Sequence, residues 1–135
     1  MNTSKLVPIV AAILIIVGIL VWYSKAGGHD ARLDRQLLAA VDNLKPNPSE
    51  VRSLLVRGAD PNMREQFTTA TPLMRAAEAG NVEIVEILIA KGADAKAEAH
   101  DGTTALKLAT KPVASRNRAR FNRVIEMLKA AGATK

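Results

Sequence analysis

The chain contains no cysteine, which excludes disulfides, thiol nucleophiles and every zinc site built on thiolates. Aromatic residues supply only 3% of it, so a core has to be assembled from Ala, Leu, Ile and Val. That favours closely packed helices over an aromatic-rich β-sandwich. Histidine is nearly as scarce: His29 and His100 lie far apart, and no His-Glu-x-x-His spacing occurs. A G-x-S-x-G elbow, a P-loop and the dinucleotide glycine fingerprint are missing too. Ser49 and Ser53 have no histidine near them in sequence, and Asp60, Asp94 and Asp101 fall at turns. There, carboxylates commonly accept hydrogen bonds from local N–H groups. No enzyme activity, cofactor or metal is expected.

What is present fits one modest domain and one additional element: 135 residues, 48% hydrophobic and 24% charged. Residues 1–5 form a short tail, and from Leu6 to Tyr23 no residue is charged. As a helix this run would span about 27 Å, close to the ~30 Å of a bilayer's hydrocarbon core. Pro8 falls in its first turn, and Trp22 and Tyr23 stand beside Lys25 where an interfacial aromatic belt belongs. A transmembrane anchor over 6–23 is expected. Ser24-Lys25-Ala26 offers a rival signal-peptide site, but the apolar run exceeds the usual ~7–15 residues and bulky aromatics crowd the cut. The reading favours a bacterial inner membrane with the rest of the chain periplasmic. Lys25, Arg32 and Arg35 after the span, against Lys5 before it, point to a cytoplasmic-facing domain instead.

Residues 24–30 read as a Gly-Gly linker, and beyond them the chain repeats itself. Gly58-Ala59-Asp60 recurs as Gly92-Ala93-Asp94, Gly132-Ala133 opens a third copy, and Thr71-Pro72-Leu73 recurs as Thr104-Ala105-Leu106. In the central copy Thr71 is a suitable N-cap, and Pro72 suits the first helical position. Leu73, Ala76 and Ala77 share one face. Gly80 stops that helix, Asn81 caps the next, and Val82, Ile84, Val85, Ile87 and Leu88 form a broad apolar face up to Gly92. Such a helical pair cannot bury both faces alone, so stacking on neighbouring copies is required.

These residues resemble the ankyrin-repeat family: Thr-Pro-Leu, paired alanines, Gly-Asn and a closing Gly-Ala-Asp run from Thr71 to Asp94. The resemblance implies an all-α solenoid of about three helix-turn-helix units, over 31–135, with copies near 31–62, 66–97 and 100–133. Met74 replaces the family's histidine, and Thr68-Thr69 replaces the Asp-Gly turn that Asp101-Gly102 keeps. The first hairpin is one residue longer than the second. The outer copies read as caps: copy one uses Asn47-Pro48-Ser49-Glu50 as a helix start, and copy three gains seven residues within Lys111 to Arg120.

The resemblance also implies protein partners bound at hairpin tips and first helices. The candidates are Arg64, Gln66, Phe67, Thr68, Met74, Arg75 and Glu78, then Lys96, Glu98, His100, Asp101 and Lys107. Phe67 and Met74 stand out as exposed apolar anchors flanked by charge. Charge is divided unevenly: residues 26–101 carry a net −3 and residues 102–135 a net +7. Lys107, Lys111, Arg116, Arg118, Arg120 and Arg123 form the basic cluster. It reads either as a solvated terminal cap or as a patch for an acidic protein or anionic lipid. With Phe67 and Phe121 the sole aromatics after residue 30, no base-stacking platform exists and no nucleic acid is expected. The functional expectation is a membrane-tethered, non-catalytic protein-interaction module. The alternatives are an accessory subunit of a membrane complex and a toxin-masking immunity protein.

Overall fold

The computed structural model describes residues 15–17, 30–43, 45–111 and 117–133. Among the described residues from 31 onward six helices follow one another: α1 (Ala31–Asp42), α2 (Pro48–Val56), α3 (Pro72–Glu78), α4 (Val82–Ala90), α5 (Ala105–Ala109) and α6 (Arg118–Ala130). Among the described residues the extended structure is a single antiparallel bridge, Glu98 to Thr104, at the second hairpin tip. The expected anchor over 6–23 lies outside the described residues except at 15–17, which are helical and exposed. Among the described residues no helix is long and apolar enough to cross a membrane.

Helices α1 to α5 start where local chemistry dictates, each at a side-chain cap. Asn47 Oδ1 accepts from the Ser49 N–H, Asn81 Oδ1 from Ile84 and Thr104 Oγ1 from Lys107, and Pro48 and Pro72 occupy first-turn positions. Asp30, assigned above to the linker, is the N-cap of α1, its carboxylate accepting from Arg32 at 2.9 Å. Apolar residues then recur at helical spacing: Leu33, Leu37, Ala40 and Val41 in α1, Ile84, Val85, Ile87 and Leu88 in α4, Phe121, Val124 and Leu128 in α6. The turn aspartates behave as the sequence suggests. Asp60, Asp94 and Asp101 accept from the backbone N–H two residues on, at 2.8–2.9 Å.

The helices pack in two layers. First helices α1, α3 and α5 form the inner layer and second helices α2, α4 and α6 the outer one, each pair antiparallel and each copy packed on the next. The buried side chains form one continuous core from Leu33 to Ala133. Polar groups tie the copies at their loops as well. Asn62 donates to the Gly92 carbonyl (3.0 Å) and accepts from the Asp94 N–H (2.7 Å). Within copy one Asp34 accepts from the Asp60 N–H at 2.7 Å.

Two expectations are corrected. Met74 is not an exposed anchor: it is 1% exposed. Helix α3 lies between α1 and α5, so Leu73, Met74, Ala76 and Ala77 are all buried. The Met74 sulfur accepts from the Thr71 N–H at 3.5 Å and closes a capping box. The corresponding residue of the last copy, Lys107, is exposed because no further inner helix follows it among the described residues. The second correction concerns copy three, where part of the insertion is helix rather than connection. Aligned on Gly92 and Gly132, α6 begins four residues earlier than α4. That extra turn brings Phe121, 7% exposed, onto Gly80. Gly80 has φ +65°, and a Cβ there would lie 2.8 Å from the Phe121 ring. Left-handed backbone and ring contact both require glycine at this place.

Candidate protein-binding surface

The hairpin tips and inner helices line a shared groove bordered by Thr68, Ala70, Arg75, Glu78, Asp101 and Lys111. The first tip is built differently from the second. Glu65 N–H donates to the Ala70 carbonyl and Ala99 N–H to that of Thr103, so these pairs correspond. Four residues separate the first pair and three the second. In the second tip Gly102 (φ +73°) donates to the Ala99 carbonyl, whereas in the first Thr69 donates to Glu65 across one residue more. Thr69 takes the glycine's place at φ +56°, a conformation disfavoured for a β-branched residue. It is held there by contacts: its hydroxyl accepts from the His100 N–H at 2.6 Å. Arg64 Nη1 donates to the Glu98 carbonyl at 2.8 Å and binds the two tips together. The extra residue carries Phe67 outward, where it is 86% exposed.

Behind the tips lies a cluster of charges centred on Arg75. Its Nη2 donates to Glu65 Oε2 at 2.6 Å, while Nη1 is 3.7 Å from Glu78 and Nε 3.8 Å from Asp42. Lys111 continues the chain, 3.3 Å from Glu78. Asp42, Glu65, Arg75, Glu78 and Lys111 thus span all three copies. The Glu65 carboxyl is held below its ordinary value, first by the Thr68 hydroxyl it accepts from and then by Arg75. The Arg75 guanidinium is pushed higher still, chiefly by its bond to Glu65. At the second tip Asp101 is also lowered, by hydrogen bonds from Thr103.

These contacts sort the sequence candidates. Thr68, Glu78 and Asp101 are exposed at the groove, Arg75 is half-buried within it, and Phe67 is exposed on the adjoining tip. Arg64, Gln66, Glu98 and His100 are exposed on the tips, Arg64 with its guanidinium engaged. Lys107 is exposed on α5, its Nζ donating to the Gly102 carbonyl. Lys96 is elsewhere: its aliphatic stem lies against Gly132, at the end of α6. Asp42 and Glu65 were not singled out from sequence, although a signal existed. Asp42 to Arg75 and Glu78 to Lys111 are each thirty-three residues apart, one repeat, which places them side by side on adjacent copies.

The basic cluster spreads from the end of α5 onto α6, where Lys111 and Arg118 border one cleft. Lys107 and Lys111 turn to the inner side, Arg118, Arg120 and Arg123 are exposed on α6, and Arg116 lies outside the described residues. Among the described residues no group of three or more His, Asp or Glu could hold a metal.

Comparison with known proteins agrees with this architecture. A family model for ankyrin repeats, three copies, matches residues 37–129. An ARF GTPase-activating protein, Git, of Drosophila melanogaster is 39% identical over 84 residues, 62% of this chain and 11% of that protein. The 2-5A-dependent ribonuclease of Mus musculus is 39% identical over 71 residues, 53% of this chain and 9% of the relative. The glycerophosphocholine phosphodiesterase gde1 of Schizosaccharomyces pombe is 42% identical over 62 residues, 46% of the chain and 6% of its own length. The chain thus spans about a tenth or less of the relatives it matches, and their enzymatic names describe those whole proteins. With three stacked helical pairs, glycine-stopped helices and a model match over most of its length, the chain belongs to the ankyrin-repeat family.

Proposed function

We propose that this ankyrin-repeat chain is a membrane-tethered protein-interaction module that recognises its partner through the first hairpin tip and the adjoining groove. The observation that carries this reading is Phe67. A large apolar side chain left 86% exposed, on a tip lengthened by one residue and held by Thr69 and Arg64, has the character of a binding anchor. The groove beside it offers Thr68, Glu78 and Asp101 for polar contacts. Ankyrin repeats are a protein-interaction architecture. The tether is residues 6–23, supported by their uncharged, bilayer-length sequence. It would raise the effective concentration of any partner in the same membrane. We place the domain on the periplasmic side of a bacterial inner membrane. A single cysteine introduced at Glu98, in a chain without others, would react with an impermeant maleimide in intact cells if so.

A photoreactive phenylalanine analogue at position 67, expressed in the native host, should trap one specific protein, and Phe67→Ala should weaken its recovery. Absence of any adduct at position 67, with the domain folded, would remove the reading. Exchanging 6–23 for an unrelated apolar helix should preserve capture. Loss of capture would favour an accessory subunit packed through its span.

A further inference from the structure

The outer face of the stack carries a groove that the inner-face reading does not use. It is about 370 Å³ in volume, lies between α4 and α6, and is lined by Glu86, Ile89, Ala90, Met127, Ala130 and Ala131. Apart from Glu86 its walls are apolar. Val56, Ala90 and Ala130 occupy the same place in the three second helices, and Val56 is 70% exposed, so the apolar line continues onto copy one.

Along α6 the wall residues continue into charge. Arg120, Arg123, Met127 and Ala130 follow at helical spacings of three and four, which sets them on one flank of the helix. Both arginines are exposed, and neither pairs with a carboxylate among the described residues. Arg120 also borders a cleft of about 460 Å³ that Asp42 and Glu78 line, without reaching ion-pair distance of either. Lys107 and Lys111, by contrast, have their ammonium groups engaged on the inner side. Exposed arginines on the helix flank that continues from an apolar trough match a surface that is itself anionic outside and hydrocarbon beneath.

We infer that this outer face, through Arg120, Arg123, Met127 and Ala130, docks on the anionic phospholipid surface of the membrane that holds the tether. The inference rests on the tether proposed above. Seven residues between Tyr23 and Ala31 reach at most about 25 Å. The third copy stands two interhelical spacings of about 10 Å from the first, so the whole outer layer can come to the bilayer. Docked this way, the opposite, inner face with Phe67 is presented to partners. Each basic side chain near an anionic leaflet favours the docked state roughly fivefold, so the two arginines together contribute on the order of thirtyfold.

The test uses the full chain reconstituted in vesicles of phosphatidylcholine, alone or mixed with phosphatidylglycerol. A polarity-sensitive fluorophore is placed at Ala130→Cys and, separately, at Glu98→Cys. Position 130 should shift to the blue in the anionic vesicles alone, and the double variant Arg120→Gln/Arg123→Gln should reverse the shift. Position 98 should respond to neither. Identical spectra at 130 in both lipids, a shift that survives loss of the arginines, or an equal shift at 98 each overturn the docking. Alkaline extraction reads the tether separately. A chain that stays in the bilayer without the shift defeats this inference alone, and a chain that washes off defeats the tether and the docking together.

Discussion

Replacing Gly80 with alanine isolates one contact between the third copy and the second, that with the Phe121 ring. Two costs are expected. A non-glycine residue at φ +65° is disfavoured by about 1–2 kcal/mol. The new methyl would also lie 2.8 Å and 2.9 Å from Phe121 ring carbons, overpacking of a kind that costs about 1–3 kcal/mol. Together they amount to roughly 2–5 kcal/mol, or about 10 °C or more in the melting temperature of a domain this size. Gly92 is the internal control: it has φ +88°, and nothing lies within 4 Å of a Cβ there, so Gly92→Ala should show the backbone cost alone. The two parts are separated by a double-mutant cycle with Phe121→Ala, followed by far-ultraviolet circular dichroism in urea. Phe121→Ala alone should cost about 3–5 kcal/mol, and in its background Gly80→Ala should fall to the Gly92→Ala value. A Gly80→Ala cost no larger than that of Gly92→Ala in the wild-type background, or full additivity with Phe121→Ala, would refute the ring contact.

Leu88, 0% exposed in the middle of α4, should not tolerate charge: Leu88→Asp is expected to cost several kcal/mol, and an unchanged thermal transition would contradict obligate stacking. Asn62→Ala removes two hydrogen bonds between copies one and two and should cost about 1–2 kcal/mol, with faster amide exchange at Asp94; protection left intact there would deny the tie. Glu65, whose carboxyl is depressed below its ordinary 4.5 by Thr68 and then Arg75, contributes stability that is complete above that value. The contribution is lost as pH falls through the lower folded value. Carbon-detected titration of Glu65 should therefore show a low midpoint that rises in Thr68→Ala; an unmoved midpoint would take the hydroxyl out of the argument.

The cap and stop residues of the central and third copies were legible because each acts within a few residues of itself. A threonine or asparagine hydroxyl or amide reaches the N–H three positions on, and a turn carboxylate reaches two, whatever the rest of the chain does. The same locality exposed the one-residue difference between the hairpins. Asp30 was misread because its cap follows a Gly-Gly stretch that already read as a linker. Arg75 was noticed as a charge but not as a hub, because its partners Asp42 and Glu65 come from another copy and from the tip.

By itself, then, the sequence determined the repeat, its period, the helix ends and the apolar faces that force stacking, since all follow from short-range chemistry recurring every thirty-three or thirty-four residues. Only the tertiary structure decided what each face meets. Met74 and Lys107 hold equivalent places, yet one is sealed under a neighbouring helix and the other is exposed at the end of the stack. Phe121 closes on Gly80, and Lys111 joins the ion-pair chain of the inner helices while Arg120 and Arg123 on α6 reach no carboxylate among the described residues. Burial and pairing depend on which copy lies next door and how far its helix extends, and neither quantity is written in the local pattern.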